Sequence, residues 1–299
     1  PRLLPVDFPF GCWGEIEDPF YGGRHYGEMI KVVSPVIKAM DSTAIVWVGG
    51  LLLDRPNTTD PTKGRPELFL QGILEAGAAP YFDIVGYHAY PGYTGENIDY
   101  DAGWVWEPWG GNTRGKASFL RSIMDQYGVD KPVFLNETGL MCPDHAPYEV
   151  YCLPPVEEFY QAQADHIVRS FTRGLSVGIM GFNWYTLEDQ WRYTGLLDSA
   201  KDPKKVYFAY QHLTTRLENS KYFGTVDYGA DIEAYVFQTG AIDTHVVWVT
   251  DDQDLTILVP QADFVEAYSV YGDILPKVSV GDNYQLDIGF SPIYVIVNH

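Results

Sequence analysis

The sequence predicts an α/β chain in which a parallel sheet wrapped by helices is followed by a small antiparallel β-sandwich. Three observations carry this. From residue 24 to about 222, helix-like and strand-like segments alternate. The strand-like segments are apolar along nearly their whole length, as strands covered on both faces are. After about residue 223 the helical spacing stops, and short strands broken by Gly, Asp and Pro take over.

In chain order, "RHYGEMIKVVSPVIKAM" has helical apolar spacing and "AIVWVGGLLL" is an apolar strand. "PELFLQGILEAGA" is helical and stops near Gly77, and "FDIVGYHAY" is a strand. "GKASFLRSIMDQYG" is a helix and "PVFLNETGL" a strand. "VEEFYQAQADHIVRSFTRGL" is a long helix, "VGIMGFNWYTLED" a strand, and "PKKVYFAYQHLTTRLE" the closing helix. The sandwich strands are "IEAYVFQT", "HVVWVTDD", "LTILVP", "VEAYSVYG", "YQLDIGF" and "PIYVIVN". The division predicted is therefore 1–222 and 223–299. "TDDQD" at 250–254 reads as a hairpin turn in preference to a calcium loop.

Composition narrows the function. Of 299 residues, 46% are hydrophobic and 20% charged, which excludes a disordered chain. The formal net charge of −20 argues against nucleic acid and anionic membranes, both of which require a basic face. No apolar run approaches the roughly 20 residues that span a bilayer. Aromatics reach 15%, which fits large cores and equally a cleft for amphipathic ligands such as sugars. The chain opens on Pro1 and shows no leader, so its location stays unassigned, a secreted or extracellular setting being the one a removed leader would fit. Cys142 and Cys152 bracket a Pro-containing loop and are a candidate disulfide pair, while Cys12 stands alone. A metal site of Cys142, His145 and Cys152 is the weaker reading, because its spacing matches no zinc pattern. No cofactor is expected.

The strands end in chemistry. His88 and Tyr90, then Asn136 and Glu137, then Asn183, Trp184 and Tyr185 close successive apolar runs. Polar groups at the C-terminal ends of parallel strands are the rule for a (β/α)8 barrel. Open α/β sheets share the feature but usually carry a glycine-rich phosphate loop, and none is found here. A carboxylate beside an amide is costly to bury unpaired. With His, Tyr and Trp on neighbouring strand ends, it fits sugar hydrolysis, which needs two carboxylates flanking the scissile bond. Glu137 would attack, Trp184 would offer a flat apolar platform, and His88 and Tyr90 would bond the nucleophile and sugar hydroxyls. The bland alternative makes Glu137 an ion-pair member and Trp184 core. The loop "GYTGENIDYDAGWVWEPWGG" carries Trp104, Trp106 and Trp109 with Glu96 and Glu107. It reads as a sugar subsite wall or as a self-packing loop. Tyr185, Glu188 and Asp189 follow Trp184 toward the rim.

Taken in order, "YFDIVGYHAY", "KPVFLNETGL", "GFNWYTLED" with "YTGLLD", and "PKKVYFAYQHL" resemble the second half of clan A glycoside hydrolases, above all the family 39 and family 5 groups. "AYVFQTG", "VVWVTDD" and "SPIYVIV" resemble the β-sandwich such enzymes often append. The resemblance implies that Glu137 is the nucleophile of strand 7, that His88 and Tyr90 belong to strand 6, and that Trp184 is the platform of strand 8. It implies a retaining β-glycosidase acting on neutral β-linked sugars. It also exposes a departure. The clan's acid/base glutamate follows Asn at the end of strand 4, usually as "NEP", and no such motif precedes these strands. "CWGEIEDP" offers Glu15 and Glu17, with Asp18 a third acid, but Gly14 and Ile16 stand where Asn is expected. The expectation is an incomplete, half TIM-type barrel. It would be a fragment, a natural half-barrel, or a decayed relative that binds carbohydrate without cleaving it. Its open edges and apolar face favour a homo-oligomer.

Overall fold

The computed structural model describes residues 16–62, 64–103, 105–189 and 191–299. The chain divides into two compact units. The first holds residues up to 90, 102–138 and 178–184; the second holds 91–101, 139–177 and 185–299.

The first unit is built on four parallel strands: β1 (Trp47–Leu51), β2 (Ile84–Ala89), β3 (Val133–Thr138) and β4 (Phe182–Trp184). They lie side by side in sequence order, so among the described residues the sheet has no switch point of the kind that marks doubly wound folds. Helices α1 (Gly23–Met40), α2 (Phe69–Glu75) and α3 (Asn112–Gln126) connect or precede them. Val48, Val85, Tyr87, Val133 and Leu135 are fully buried, which explains the unbroken apolar runs in the sequence. Helices α1 and α2 pack backbone to backbone. A Cβ on Gly23 would lie 2.1 Å from the Phe69 carbonyl oxygen, so only glycine allows this approach. On the outer side of α1, Val32, Val36 and Met40 are exposed.

The strands are shorter than the apolar runs that foretold them. β1 begins at Trp47, and β4 ends at Trp184. Beyond it, in the second unit, the Leu197 amide donates to the Leu187 carbonyl at 2.8 Å, so the chain has already turned into a loop.

The second unit contains a short helix α4 (Glu149–Cys152), α5 (Glu157–Ser176), α6 (Lys205–Leu217) and two antiparallel sheets. One sheet has the order β5-β6-β7-β12-β9, comprising Lys221–Thr225, Ile232–Thr239, Ile242–Val249, Ile293–Asn298 and Phe264–Tyr268. The other has the order β10-β11-β8, comprising Val278–Val280, Asn283–Ile288 and Leu255–Pro260. Val247, Val249, Ile257, Val259, Leu286 and Val295 form the apolar centre of this region. β5 and β10 escaped the sequence reading because both are mostly exposed and lack an apolar run. The 250–254 turn joins β7 to β8, which lie in different sheets, so it is a crossover and not the hairpin expected.

Arg173 of α5 anchors this unit. Its guanidinium meets Asp99 at 2.6 Å, Asp101 at 3.4 Å and, with two nitrogens, Glu233 of β6 at 2.5 and 3.1 Å. Burial alone would raise the Asp99 carboxyl, but Arg173 and then Arg169 hold it at about 2. Cys142 and Cys152 form a disulfide.

Candidate active site

The site begins with a register slip. Tyr87 of β2 pairs with Leu135 of β3, yet the next residue, His88, pairs with Glu137. β4 records the same extra residue from the other side, where Leu135 pairs with Phe182 and Thr138 with Trp184. β3 therefore carries a bulge between Leu135 and Glu137. Strict alternation would send Glu137 to the face of Val133 and Leu135, which are fully buried. The bulge turns it beside His88 instead. Thr138 anchors the end, its hydroxyl donating to the Ala89 carbonyl at 2.8 Å.

Glu137 is partly exposed and accepts a hydrogen bond at Oε2 from the Tyr90 hydroxyl at 2.8 Å. His88 Nδ1 lies 3.5 Å from the same oxygen. Oε1 accepts no hydrogen bond from the described residues. One oxygen is thus held and the other left available, an arrangement suited to nucleophilic attack. Burial lowers the His88 pKa; the Glu137 carboxylate opposes this, and the Lys116 ammonium reinforces it. Lys116 of α3 donates to the His88 carbonyl at 3.0 Å, which fixes the strand end.

Two buried polar atoms here lack a partner among the described residues: His88 Nε2 and Asn136 Oδ1. Such atoms are uncommon in folded proteins, and each calls for a partner such as an ordered water or a ligand group. Gly86 makes room for the amide, since a Cβ there would stand 2.9 Å from Asn136 Oδ1. Gly50, at φ +70, similarly lets His88 Nε2 approach the backbone of β1.

The remaining sequence candidates are placed differently. Trp184 is 8% exposed and mostly enclosed. Trp106 is 1% exposed; its indole N–H donates to the Asp54 carbonyl at 3.2 Å and its ring packs on Phe119. Trp106 is thus buried against Phe119 of α3 and the Asp54 backbone. Tyr185 belongs to the second unit and is 41% exposed, with its ring against Trp191. Glu17 is exposed ahead of α1, and no hydrogen bond or ion pair joins it to the Glu137 cluster. Glu15, Cys12 and Trp104 lie outside the described residues. Among the described residues no group of His, Cys, Asp and Glu is arranged to hold a metal, and Cys142 and Cys152 are paired with each other.

Lys116 was missed in the sequence. The signal was there: a lysine on the face of α3 shared by Thr113, Ala117, Leu120 and Met124, all buried, needs an acceptor within reach.

No protein-family model matches the chain, and no curated protein does. Solved structures do. The chain is similar to a family 39 glycoside hydrolase from the gut symbiont Bacteroides cellulosilyticus WH2, with 19% identity and a TM-score of 0.67 over 95% of this chain and 57% of that one. It is similar to a family 51 α-L-arabinofuranosidase from Bifidobacterium longum, at 12% identity and a TM-score of 0.58 over 95% and 65% of the two chains. A family 86 β-porphyranase from Bacteroides plebeius gives 11% identity and a TM-score of 0.55 over 92% and 52%. The fold is that of these glycosidases. The chain spans between half and two thirds of their lengths. Among the described residues, no helix is long and apolar enough to cross a membrane.

Proposed function

We propose that the chain is part of a retaining β-glycosidase acting on neutral β-linked sugars, with Glu137 as nucleophile. In this reading β1–β4 are the second half of a (β/α)8 barrel and residues 223–299 are its appended β domain. The carrying observation is the bulged end of β3, which sets Glu137 beside His88 with Tyr90 on Oε2 and Oε1 open.

The chemistry follows from that geometry. Oε1 attacks the anomeric carbon as the bond to the leaving oxygen breaks. A second carboxylic acid gives that oxygen its proton. The ester formed on Glu137 is then cleaved by water, which the second carboxylate deprotonates. Tyr90 holds the charge on Oε2 while the carboxylate is free and loosens as it becomes an ester. The neutral His88 imidazole and the Asn136 amide are placed for sugar hydroxyls. Glu15 and Glu17 are the acids this chain offers for the second role, and a carboxylate of a second copy is the other source. The exposed stripe Val32, Val36 and Met40 on α1 and the edge position of β1 among the described strands support association.

A panel of nitrophenyl β-glycosides tests the reading, because an activated leaving group tolerates a weak acid. Turnover is expected for at least one sugar. Glu137→Ala should abolish it, and azide should restore it with inverted stereochemistry. Substantial turnover by Glu137→Ala without azide contradicts the assignment. A second reading, a carbohydrate binder without catalysis, is favoured because no second carboxylate is bonded into the cluster among the described residues; it predicts binding with no turnover.

A further inference from the structure

The segment that carries Trp191 is held with unusual firmness for a surface loop. Arg192 and Tyr193 are consecutive non-glycine residues in the left-handed region, at φ 46 and 57. Such conformations persist only where their surroundings enforce them, and they concentrate at functional positions. The enforcement here is visible at three successive carbonyls. The Trp191 carbonyl accepts from the Thr194 amide at 3.0 Å and its hydroxyl at 2.9 Å. The Arg192 carbonyl accepts from the amide of the disulfide-bonded Cys142 at 2.9 Å. The Tyr193 carbonyl accepts from Gln163 Nε2 at 2.9 Å and Lys204 Nζ at 2.7 Å. Thr194, Cys142, Gln163 and Lys204 are all buried.

What this scaffold displays is aromatic and open. Trp191 is 36% exposed and Tyr185 41%, their ring centroids 5.9 Å apart and their planes at 77°. Two large rings at nearly a right angle make a corner with apolar faces. The Arg192 guanidinium lies 5.2 Å from the indole centroid, bonded to Met141 Sδ at 3.6 Å, and adds a planar fork of donors. Burying these rings would release the apolar area that folding left in water.

We propose that Trp191, Tyr185 and Arg192 form a carbohydrate-binding surface that takes a pyranose residue of a neutral oligosaccharide. The C–H face of the sugar lies on the indole, and its hydroxyls accept from Arg192. The occupant follows from size and charge. Three side chains fall far short of the ~800 Å² per partner that a stable protein interface needs, but they match one or two sugar rings. A chain with a net charge of −20 disfavours polyanionic glycans. The inference rests on the carbohydrate part of the functional reading and not on the catalytic role of Glu137.

The test uses the Glu137→Gln chain, so that no ligand is consumed, with xylo-, cello- and mannohexaose as probes in calorimetry. At least one hexaose should bind. Trp191→Ala should then lower its affinity at least tenfold, and Trp191→Phe should stay within about threefold of the parent. N-bromosuccinimide oxidation of the same Glu137→Gln chain, mapped by mass spectrometry, provides a readout without a substitution at Trp191: the bound hexaose should protect the peptide carrying Trp191. Unchanged affinity in Trp191→Ala, no protection of that peptide, or no binding of any hexaose overturns the proposal. Hydrolysis of aryl glycosides is scored separately. Protected Trp191 with no hydrolysis retires the enzyme reading and keeps this one; hydrolysis with unprotected Trp191 does the reverse.

Discussion

At the scale of single residues, the two oxygens of Glu137 differ: among the described residues only Oε2 accepts a hydrogen bond. Tyr90 donates to Oε2 at 2.8 Å, and a hydrogen bond to a charged group contributes about 1.5–3 kcal/mol. Tyr90→Phe should therefore lower kcat/KM on a nitrophenyl glycoside by roughly 10- to 100-fold, with the melting temperature little changed. An unaltered rate would mean that the bond plays no part in the reaction. Glu137, His88, Tyr90 and Asn136 were all legible as polar groups closing apolar runs. Their mutual placement was not. It depends on one extra residue in β3, and a bulge is fixed by hydrogen bonding to two neighbouring strands, which no local pattern encodes. For Trp106 the aromatic loop left ligand contact and packing equally open, because an aromatic side chain gains as much from burial; its ring lies against Phe119.

At the scale of elements, the helices and strands of the first unit were readable because apolar period and length separate the two. β5 and β10 lack that signal. Helix α5 adds a feature that the apolar period hides: it buries Asp165, whose carboxylate accepts from Gln161 Nε2 at 3.1 Å and Ser291 Oγ at 3.0 Å. Burial raises its pKa to about 6, against the opposing charge of Arg169. The folded chain therefore holds this proton more tightly than the unfolded one. Its contribution to stability is full below about pH 4 and is lost as pH rises through 6. Asp165→Asn should remove that dependence. Relative to wild type, the variant should gain on the order of 2 kcal/mol at pH 8 and little at pH 4, measured by urea unfolding at both. A difference that does not change with pH would contradict the placement of this carboxylate.

At the scale of the whole molecule, the sequential order β1-β2-β3-β4 and the likeness to longer glycosidases define the fold. An apolar stripe such as Val32, Val36 and Met40 of α1 weighs about 25 cal/mol per Å² left in water. If association covers it, light scattering at micromolar concentration should give a mass above that of one chain, and Val36→Glu should return the chain to a monomer. A monomer in the unsubstituted chain would sink the oligomer. A covalent bond between Glu137 and sugar is open to direct trapping. The chain is incubated with 2,4-dinitrophenyl 2-deoxy-2-fluoro-β-glycosides, digested and sequenced by mass spectrometry. One glycosyl adduct per chain is expected, on Glu137 in the segment "KPVFLNETGL". An adduct on another carboxylate, or turnover of the unfluorinated glycoside with no adduct at all, would contradict it.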